Sequence, residues 1–350
     1  MCYDRWSRFL LLILILAAGC AKVGPDYFRP GTKINDNWLE AQDRRLNAGP
    51  LECRAWWTVF QDPILDRLIE TAYRENLNLR VAGVRVLEAR AQLGATVGQL
   101  YPQTQQFTSA LETIQSSERV PEALNYTEAA LGVTASWEID FWGKFRRAVE
   151  SADASLMGSV ANYDSILVSL TGSVGNLYVT IRTLERRLII ARTNVETQRK
   201  SLQIAKDRFE GGTTSRRDVE QARSLLASTE ASVPALQIQL RQAQDALSVL
   251  LGLPPSLLTE QLQGREAEIP APPAQVVVGI PVDLLRRRPD IRQAEYNAMA
   301  QCAQIGVSKA QLYPAQEVHG DTDDNLGRRR RNLRFPALQL LSEKAGRQPQ

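Results

Sequence analysis

Residues 156–209 read LMGSVANYDSILVSLTGSVGNLYVTIRTLERRLIIARTNVETQRKSLQIAKDRF. Steps of four and three from Leu156 visit Val160, Tyr163, Leu167, Leu170, Val174, Leu177, Ile181, Leu184, Leu188, Ala191, Val195, Gln198, Leu202, Ala205 and Phe209. Fifteen of these sixteen positions are apolar. A heptad sustained that long predicts a helix that packs as a coiled coil. From Lys144 to Phe209 there is no proline, and glycine falls only at 158, 172 and 175. At 1.5 Å per residue such a helix spans roughly 100 Å, a rod that no compact globule needs.

Gly211-Gly212-Thr213-Thr214-Ser215 breaks the helix, and a second heptad follows. It runs Val219, Ala222, Leu226, Thr229, Val233, Leu236, Leu240, Ala243, Leu247 and Leu250, with nine of ten apolar, and Gly252-Leu253-Pro254-Pro255 ends it. The pattern predicts an antiparallel helical hairpin over 144–251. Pro234 inside the second arm predicts a kink. Upstream, Asp62 is placed as an N-cap and Pro63 suits a first helical turn. A helix from Pro63 to about Leu100 is expected there. The short second arm and this helix, added together, match the long arm, so they are expected to stack end to end beside it.

Between these helices the period changes to two. Leu131, Val133, Ala135, Trp137, Ile139 and Phe141 point one way, and Ala130, Gly132, Thr134, Ser136, Glu138 and Asp140 the other. One apolar and one polar face indicate a strand. Gln103 to Ile114 supplies a weaker partner strand, and Ser116 to Thr127 reads as the loop joining them. The hairpin at 103–141 fits two transmembrane β-barrel strands, apolar side toward lipid and polar side toward a lumen. Trp137, Phe141 and Trp142 suit an interfacial aromatic girdle. A soluble hairpin packed on the helices is the plainer alternative.

The N-terminus reads MCYDRWSRFLLLILILAAGC. Arg5 and Arg8 precede a ten-residue apolar run, Phe9 to Ala18, too short to span a bilayer as a helix. Residues 1–19 read as a lipoprotein signal peptide. Leu16-Ala17-Ala18-Gly19-Cys20 resembles a bacterial lipobox, which makes Cys20 the site of a covalent lipid. An ordinary secretory peptide is the alternative. Ala21, rather than Asp, suggests delivery to the outer membrane. Residues 20–61 lack periodicity and read as an extended, lipid-anchored leader. The remaining cysteines, Cys2, Cys53 and Cys302, show no CxxC spacing, so no zinc or redox motif is supported. Cys53 and Cys302 are read as unpaired thiols, with a bond between them the less favoured option.

Gln99-Leu100-Tyr101-Pro102 recurs 212 residues later as Gln311-Leu312-Tyr313-Pro314. At that offset Leu79–Pro102 matches Ile291–Pro314 at nine of 24 positions. The chain reads as a duplication: a first repeat at 62–264, then a linker and the start of a second repeat at 265–315. Residues 316–350, with Gln316-Glu317-Val318-His319-Gly320-Asp321 and the run Arg328 to Arg331, carry no strand alternation. They are expected to be an aberrant, unstructured tail that leaves the second repeat incomplete.

Bulk composition narrows the function. Hydrophobic residues make up 44% and charged residues 23%, with 42 basic and 39 acidic side chains. The balance of +3 gives no reason to expect a nucleic-acid partner. A single histidine, His319, speaks against His-based catalysis or a His-rich metal site. Gly211-Gly212 is no phosphate loop, because no strand precedes it and no Gly-Lys-Ser/Thr follows. Glu138 and Asp140 share a strand face and form a carboxylate pair at most, with lumen-facing charge the simpler reading. No catalytic residue, metal ligand or cofactor is expected beyond the lipid on Cys20.

Four segments carry a family resemblance. They are Val23-Gly24-Pro25-Asp26-Tyr27 behind the lipobox, Trp56 to Leu68, Ser136 to Lys144 (SWEIDFWGK), and Ile280 to Arg292 (IPVDLLRRRPDIR). Together they resemble the TolC-like outer-membrane factors of tripartite efflux pumps, the NodT/OprM-type branch. The fold implied is mainly α with a β-hairpin: a long coiled-coil hairpin plus barrel strands. The resemblance implies a homotrimer lipid-anchored in the outer membrane and extending into the periplasm. Each protomer of the family gives four strands to a barrel above a helical tunnel. A periplasmic adaptor and an inner-membrane pump are the implied partners, and substrates pass without chemistry. The turn holding Gly211, Gly212, Arg216, Arg217 and Asp218 resembles the family's adaptor-docking tip. Capping and solvation explain Arg216, Arg217 and Asp218 equally well. With one strand pair instead of two, a chain of this length is expected to be impaired as a channel. A lipid-anchored coiled-coil scaffold without a pore is the alternative.

Overall fold

The computed structural model describes residues 22–31, 42–47, 55–114, 126–272, 275–277 and 285–325. Its elements in chain order are β1 (Leu46–Asn47), a 3-10 turn (Trp56–Phe60), α1 (Pro63–Glu75), α2 (Leu77–Gly98), β2 (Thr104–Ile114) and β3 (Tyr126–Ile139). They continue as α3 (Lys144–Glu210), α4 (Arg216–Leu251), α5 (Pro255–Gln261), β4 (Val276–Val277), α6 (Pro289–Ala310) and β5 (Gln316–Asn325). Two compact units form. One gathers the described parts of residues 22–28, 90–155 and 298–325, and the other those of 29–89 and 156–297.

The helical unit follows the heptads. Among the sixteen positions stepped from Leu156, only Phe209 is exposed. Every heptad position of α4 is buried or half-buried. Ile64, Leu65, Leu68, Ile69 and Ala72 of α1 join Leu170, Val174, Tyr178, Ile181 and Leu184 of α3 and Leu247 and Leu251 of α4 in one core. Burying a leucine-sized side chain contributes about 1.5–3 kcal/mol, so this cluster dominates the unit. Asp62 caps α1 as expected, accepting hydrogen bonds from the Ile64 and Leu65 amides.

The helix expected from Pro63 to Leu100 is broken. Asn76 is extended, with φ −64° and ψ 120°. Its Oδ1 accepts from the Leu79 amide at 2.8 Å and so caps α2. Its Nδ2 donates to the Leu250 carbonyl at 2.8 Å. The C-cap Gly252 of α4 lies against Glu75: a Cβ at Gly252 would stand 2.7 Å from the Glu75 carbonyl oxygen. The end of α4 thus meets the α1–α2 break at Asn76, inside the helix expected over 63–100, rather than either end of that helix. α4 runs through Pro234 as one helix.

A buried polar network locks the same region. The Tyr178 hydroxyl donates to Asp62 Oδ2. Arg182, buried beside it, donates to the Leu262 carbonyl at 2.7 Å and to both Glu185 oxygens. Glu185 also accepts from the Ala267 amide at 2.8 Å. Burial opposes the Arg182 charge, yet hydrogen bonds to Tyr178 and Glu185 hold its pKa above the ordinary value.

The other unit centres on a three-stranded sheet in the order β2-β3-β5, antiparallel throughout. The unstructured tail expected from residue 316 is corrected here: Gln316–Asn325 pairs with Ile139–Ala130. Its residues alternate poorly, and β3 supplies an open edge whose amides and carbonyls need partners. Residues 326–350 lie outside the described residues. The spacing of α2 and β2 also recurs. Leu77, Gly98 and Thr104 begin and end elements just as Pro289, Ala310 and Gln316 do, at the same offset as the repeated Gln-Leu-Tyr-Pro.

Candidate functional site

Strand β3 separates its residues by polarity in an unusual sense. Leu131, Val133, Ala135, Trp137 and Ile139 all lie on the exposed face. Exposure is 44% for Leu131, 53% for Val133, 38% for Trp137 and 40% for Ile139. Thr134, Ser136 and Glu138 on the opposite face are less exposed, and Gly132 is buried. Directly paired residues share a face in an antiparallel sheet. Phe107 and Leu111 of β2 and Val318 of β5 pair into the same face, whose other positions on those strands are polar or glycine, so the apolar stripe is continuous only along β3. Gln106 and Thr108 pair with Thr134 and Gly132, and His319 with Ser136, on the polar face. A soluble hairpin would bury the first face and wet the second.

Phe141, assigned to the apolar face, lies beyond the end of β3. It is half-buried in the strand–helix turn, edge-on to Trp142 with ring centroids 4.8 Å apart. The carboxylate pair separates too. Glu138 binds Lys144 at 2.9 Å. Asp140 accepts from the Phe145 and Arg146 amides, capping α3, and pairs with the Arg146 side chain. Neither carboxylate is placed for acid–base work on a substrate.

Two tryptophans tie β3 and its turn to the two Tyr-Pro corners. Trp137 Nε1 donates to the Leu100 carbonyl at 3.2 Å. Trp142 Nε1 donates to the Pro314 carbonyl at 3.1 Å, and its ring stacks on Tyr313 with centroids 4.5 Å apart.

Sequence reasoning missed Arg147 altogether. It is 1% exposed. Its Nε donates to the Val23 carbonyl, and its Nη2 to the Gly24 carbonyl and to Asp26. Nη1 donates to Glu150 at 2.9 Å. Burial works against the guanidinium charge, and the Asp26 and Glu150 carboxylates outweigh it to raise its pKa.

In the helical unit, Gly211, Gly212, Arg216, Arg217 and Asp218 come together at the exposed tip of the α3–α4 hairpin. Gly212, at φ +72°, supplies the left-handed residue ending α3, and the Thr213 amide donates back to the Arg208 carbonyl. Asp218 Oδ2 accepts from the Ser215 amide, the Ser215 hydroxyl and the Thr214 hydroxyl. Those bonds hold its carboxyl below the ordinary value. Cys20, assigned as the lipid site, lies outside the described residues. Among the described residues no group of His, Cys, Asp and Glu is arranged to hold a metal ion. No helix among them is long and apolar enough to cross a membrane.

Comparison with known proteins bears on both units. The family model described as outer membrane efflux protein matches residues 68–253. Nodulation protein T of Rhizobium leguminosarum bv. viciae is 33% identical over 89% of this chain and 64% of its own length. Pyoverdine export outer membrane protein OpmQ of Pseudomonas putida is 32% identical over 76% of this chain and 58% of its own length. The solved structure of the outer-membrane channel OprN is similar with a TM-score of 0.79 and 32% identity, covering 88% of this chain and 69% of OprN. The chain spans just under two thirds of the length of the first of these relatives.

Proposed function

Because this chain belongs to the outer membrane efflux protein family, we propose that it is the outer-membrane channel component of a tripartite, RND-type efflux pump. In this reading it is a passive export duct for drugs or other small molecules, without a chemical step. The observation that carries it is strand β3, whose apolar residues are exposed while the polar residues of its other face are half-buried or buried. In water that arrangement costs free energy, since exposed apolar area loses about 25 cal/mol per Å² of possible burial. In a barrel wall it is the favourable one: lipid meets Leu131, Val133, Ala135, Trp137 and Ile139, and the lumen meets Thr134, Ser136 and Glu138.

The fuller proposal follows the same logic. Strands β2 and β5 are the free edges of the described sheet, and unpaired backbone groups within lipid cost several kcal/mol each. Closure with further strands, including those of two more protomers in a homotrimer, removes those edges. Cys20 carries the lipid that holds the assembly in the outer membrane, and the α3–α4 hairpin extends into the periplasm. Its tip, Gly211 to Asp218, meets a periplasmic adaptor coupled to an inner-membrane pump. The start of a second repeat at α6 and β5 fits this plan. OpmQ is named for pyoverdine export; the substrate here is proposed only at the level of small molecules.

Planar-bilayer recording tests the reading. The purified protein is expected to produce stepwise ion conductance. Folded protein that binds membranes through its lipid yet never conducts would overturn the duct and leave a periplasmic scaffold.

A further inference from the structure

The segment Lys22–Asp26 crosses a built site. The Val23 amide donates to the Trp142 carbonyl at 3.1 Å. Gly143, at φ +78°, lies under Lys22, whose Cα would stand 2.9 Å from a Cβ there. Lys22 reaches Glu150 at 3.4 Å. Gly24, at φ +101°, presses on α6: a Cβ on it would stand 2.4 Å from the Gly306 Cα. A Cβ on Gly306 would in turn meet the Arg147 side chain at 2.9 Å. The Cys302 thiol lies 3.6 Å from the Pro25 carbonyl. Arg147 sits beneath, spending four donor contacts on Val23, Gly24, Asp26 and Glu150. Three of the four reach the leader, and two of those go to backbone carbonyls. An arginine fork suits such planar, several-point recognition where a lysine would not.

We propose that Arg147, Glu150, the Trp142 carbonyl and the bare backbone at Gly143 and Gly306 form a binding site for a Val-Gly-Pro-Asp peptide bent at its glycine. Its occupant is the chain's own leader, and Arg147 is the positioning residue for the lipid anchor. This rests on the reading of Cys20 as the acylated residue. Cys20 stands two residues ahead of Lys22, and two residues of chain reach at most about 7 Å. The acyl chains therefore enter the bilayer beside Gly143, where β3 hands over to α3. The same leader segment spans the β3–α3 turn and α6, so the anchor pulls on both chain segments at once. In this reading the latch holds the leader at the carbonyl of Trp142, an aromatic residue of the kind that favours a membrane interface.

The test uses the full-length protein in lipid vesicles, with the half-buried Cys302 as reporter because its thiol contacts the Pro25 carbonyl. Maleimide alkylation of Cys302 is followed by peptide mass, hydrogen exchange reads the Val23 amide, and the N-terminal peptide mass reads the lipid. Arg147→Gln is expected to speed both reactions by roughly tenfold or more, the scale of losing a buried charged hydrogen bond. Arg147→Lys should fall between. Gly24→Ala alters only the leader, so the body keeps its fold, and the same acceleration is expected. Unchanged alkylation and exchange in Gly24→Ala and Arg147→Gln, with lipid present, would overturn the latch. A latch that holds in wild-type protein lacking the lipid would instead remove Cys20 and leave a peptide site without an anchor.

Discussion

The Tyr178 hydroxyl donates a 2.6 Å hydrogen bond to Asp62 Oδ2, joining the middle of α3 to the residue that caps α1, 116 positions earlier. Asp62 thus serves as helix cap and buried acceptor together. Tyr178→Phe is expected to cost about 1–3 kcal/mol, the penalty of stranding a buried acceptor, read as a lower urea midpoint. Burial and the Asp62 bond push the Tyr178 pKa up to about 12. In the unfolded chain the phenol ionises near its ordinary value, about 10. The unfolded state therefore loses this proton first, and stability from Tyr178 is complete below pH 10 and lost as pH rises toward 12. Tyr178→Phe should lack that component of the alkaline fall. An alkaline limb identical in both proteins would contradict the assignment.

Gly252 and Gly212 adopt similar left-handed backbones, at φ +63° and +72°. Nothing lies within 4 Å of a Cβ at Gly212, while one at Gly252 meets the Glu75 carbonyl at 2.7 Å. Gly212→Ala should cost only the backbone penalty of about 1–2 kcal/mol. Gly252→Ala should cost clearly more, because the α4 end must withdraw from the α1–α2 break. Equal denaturation midpoints for the two variants would mean that this contact is slack.

Val133 and Thr134 are neighbours on opposite faces of β3. Val133→Arg is expected to hinder insertion into vesicles by about 2–4 kcal/mol if the site lies near the bilayer midplane. Thr134→Arg should insert nearly as well as the parent and change ion selectivity. Band-shift electrophoresis of unheated samples reads insertion, and the reverse order of the two variants would exchange the faces.

At the hairpin tip Asp218 holds three donors from Thr214 and Ser215. Its lowered pKa means that its contribution is present above the ordinary carboxylate range and lost as pH falls through the folded value. Amide exchange at Ser215 should therefore rise on acidification. Asp218→Asn should show fast exchange already at neutral pH, while amides in the middle of α3 stay protected.

The sequence was most legible where one period runs long. The heptads located α3 and α4, the alternation located β3 and its faces, and Asp62-Pro63 marked the start of α1. Misreadings arose where tertiary contacts decide. Asn76 breaks a helical pattern because its amide finds Leu79 and Leu250, a choice that helix propensity alone does not register. β5 forms from a poorly alternating stretch because β3 offers it an edge. No pattern in the sequence singles out Arg147 or Arg182, although both are buried among carbonyls and carboxylates. The available clue to Arg147 was the pair Gly24 and Gly306, whose missing side chains mark a close backbone approach.

Strand β3 has neighbours of very unequal remoteness. Ile114 and Tyr126 frame a short connection to β2, while Ile139 and Gln316 are separated by a stretch more than ten times longer. Closing the longer loop costs roughly 2 kcal/mol more in chain entropy. The β2–β3 pair can therefore zip soon after synthesis, and β5 joins late. Until it does, one margin of β3 stands open to any passing strand, so a holding chaperone would matter most during that interval.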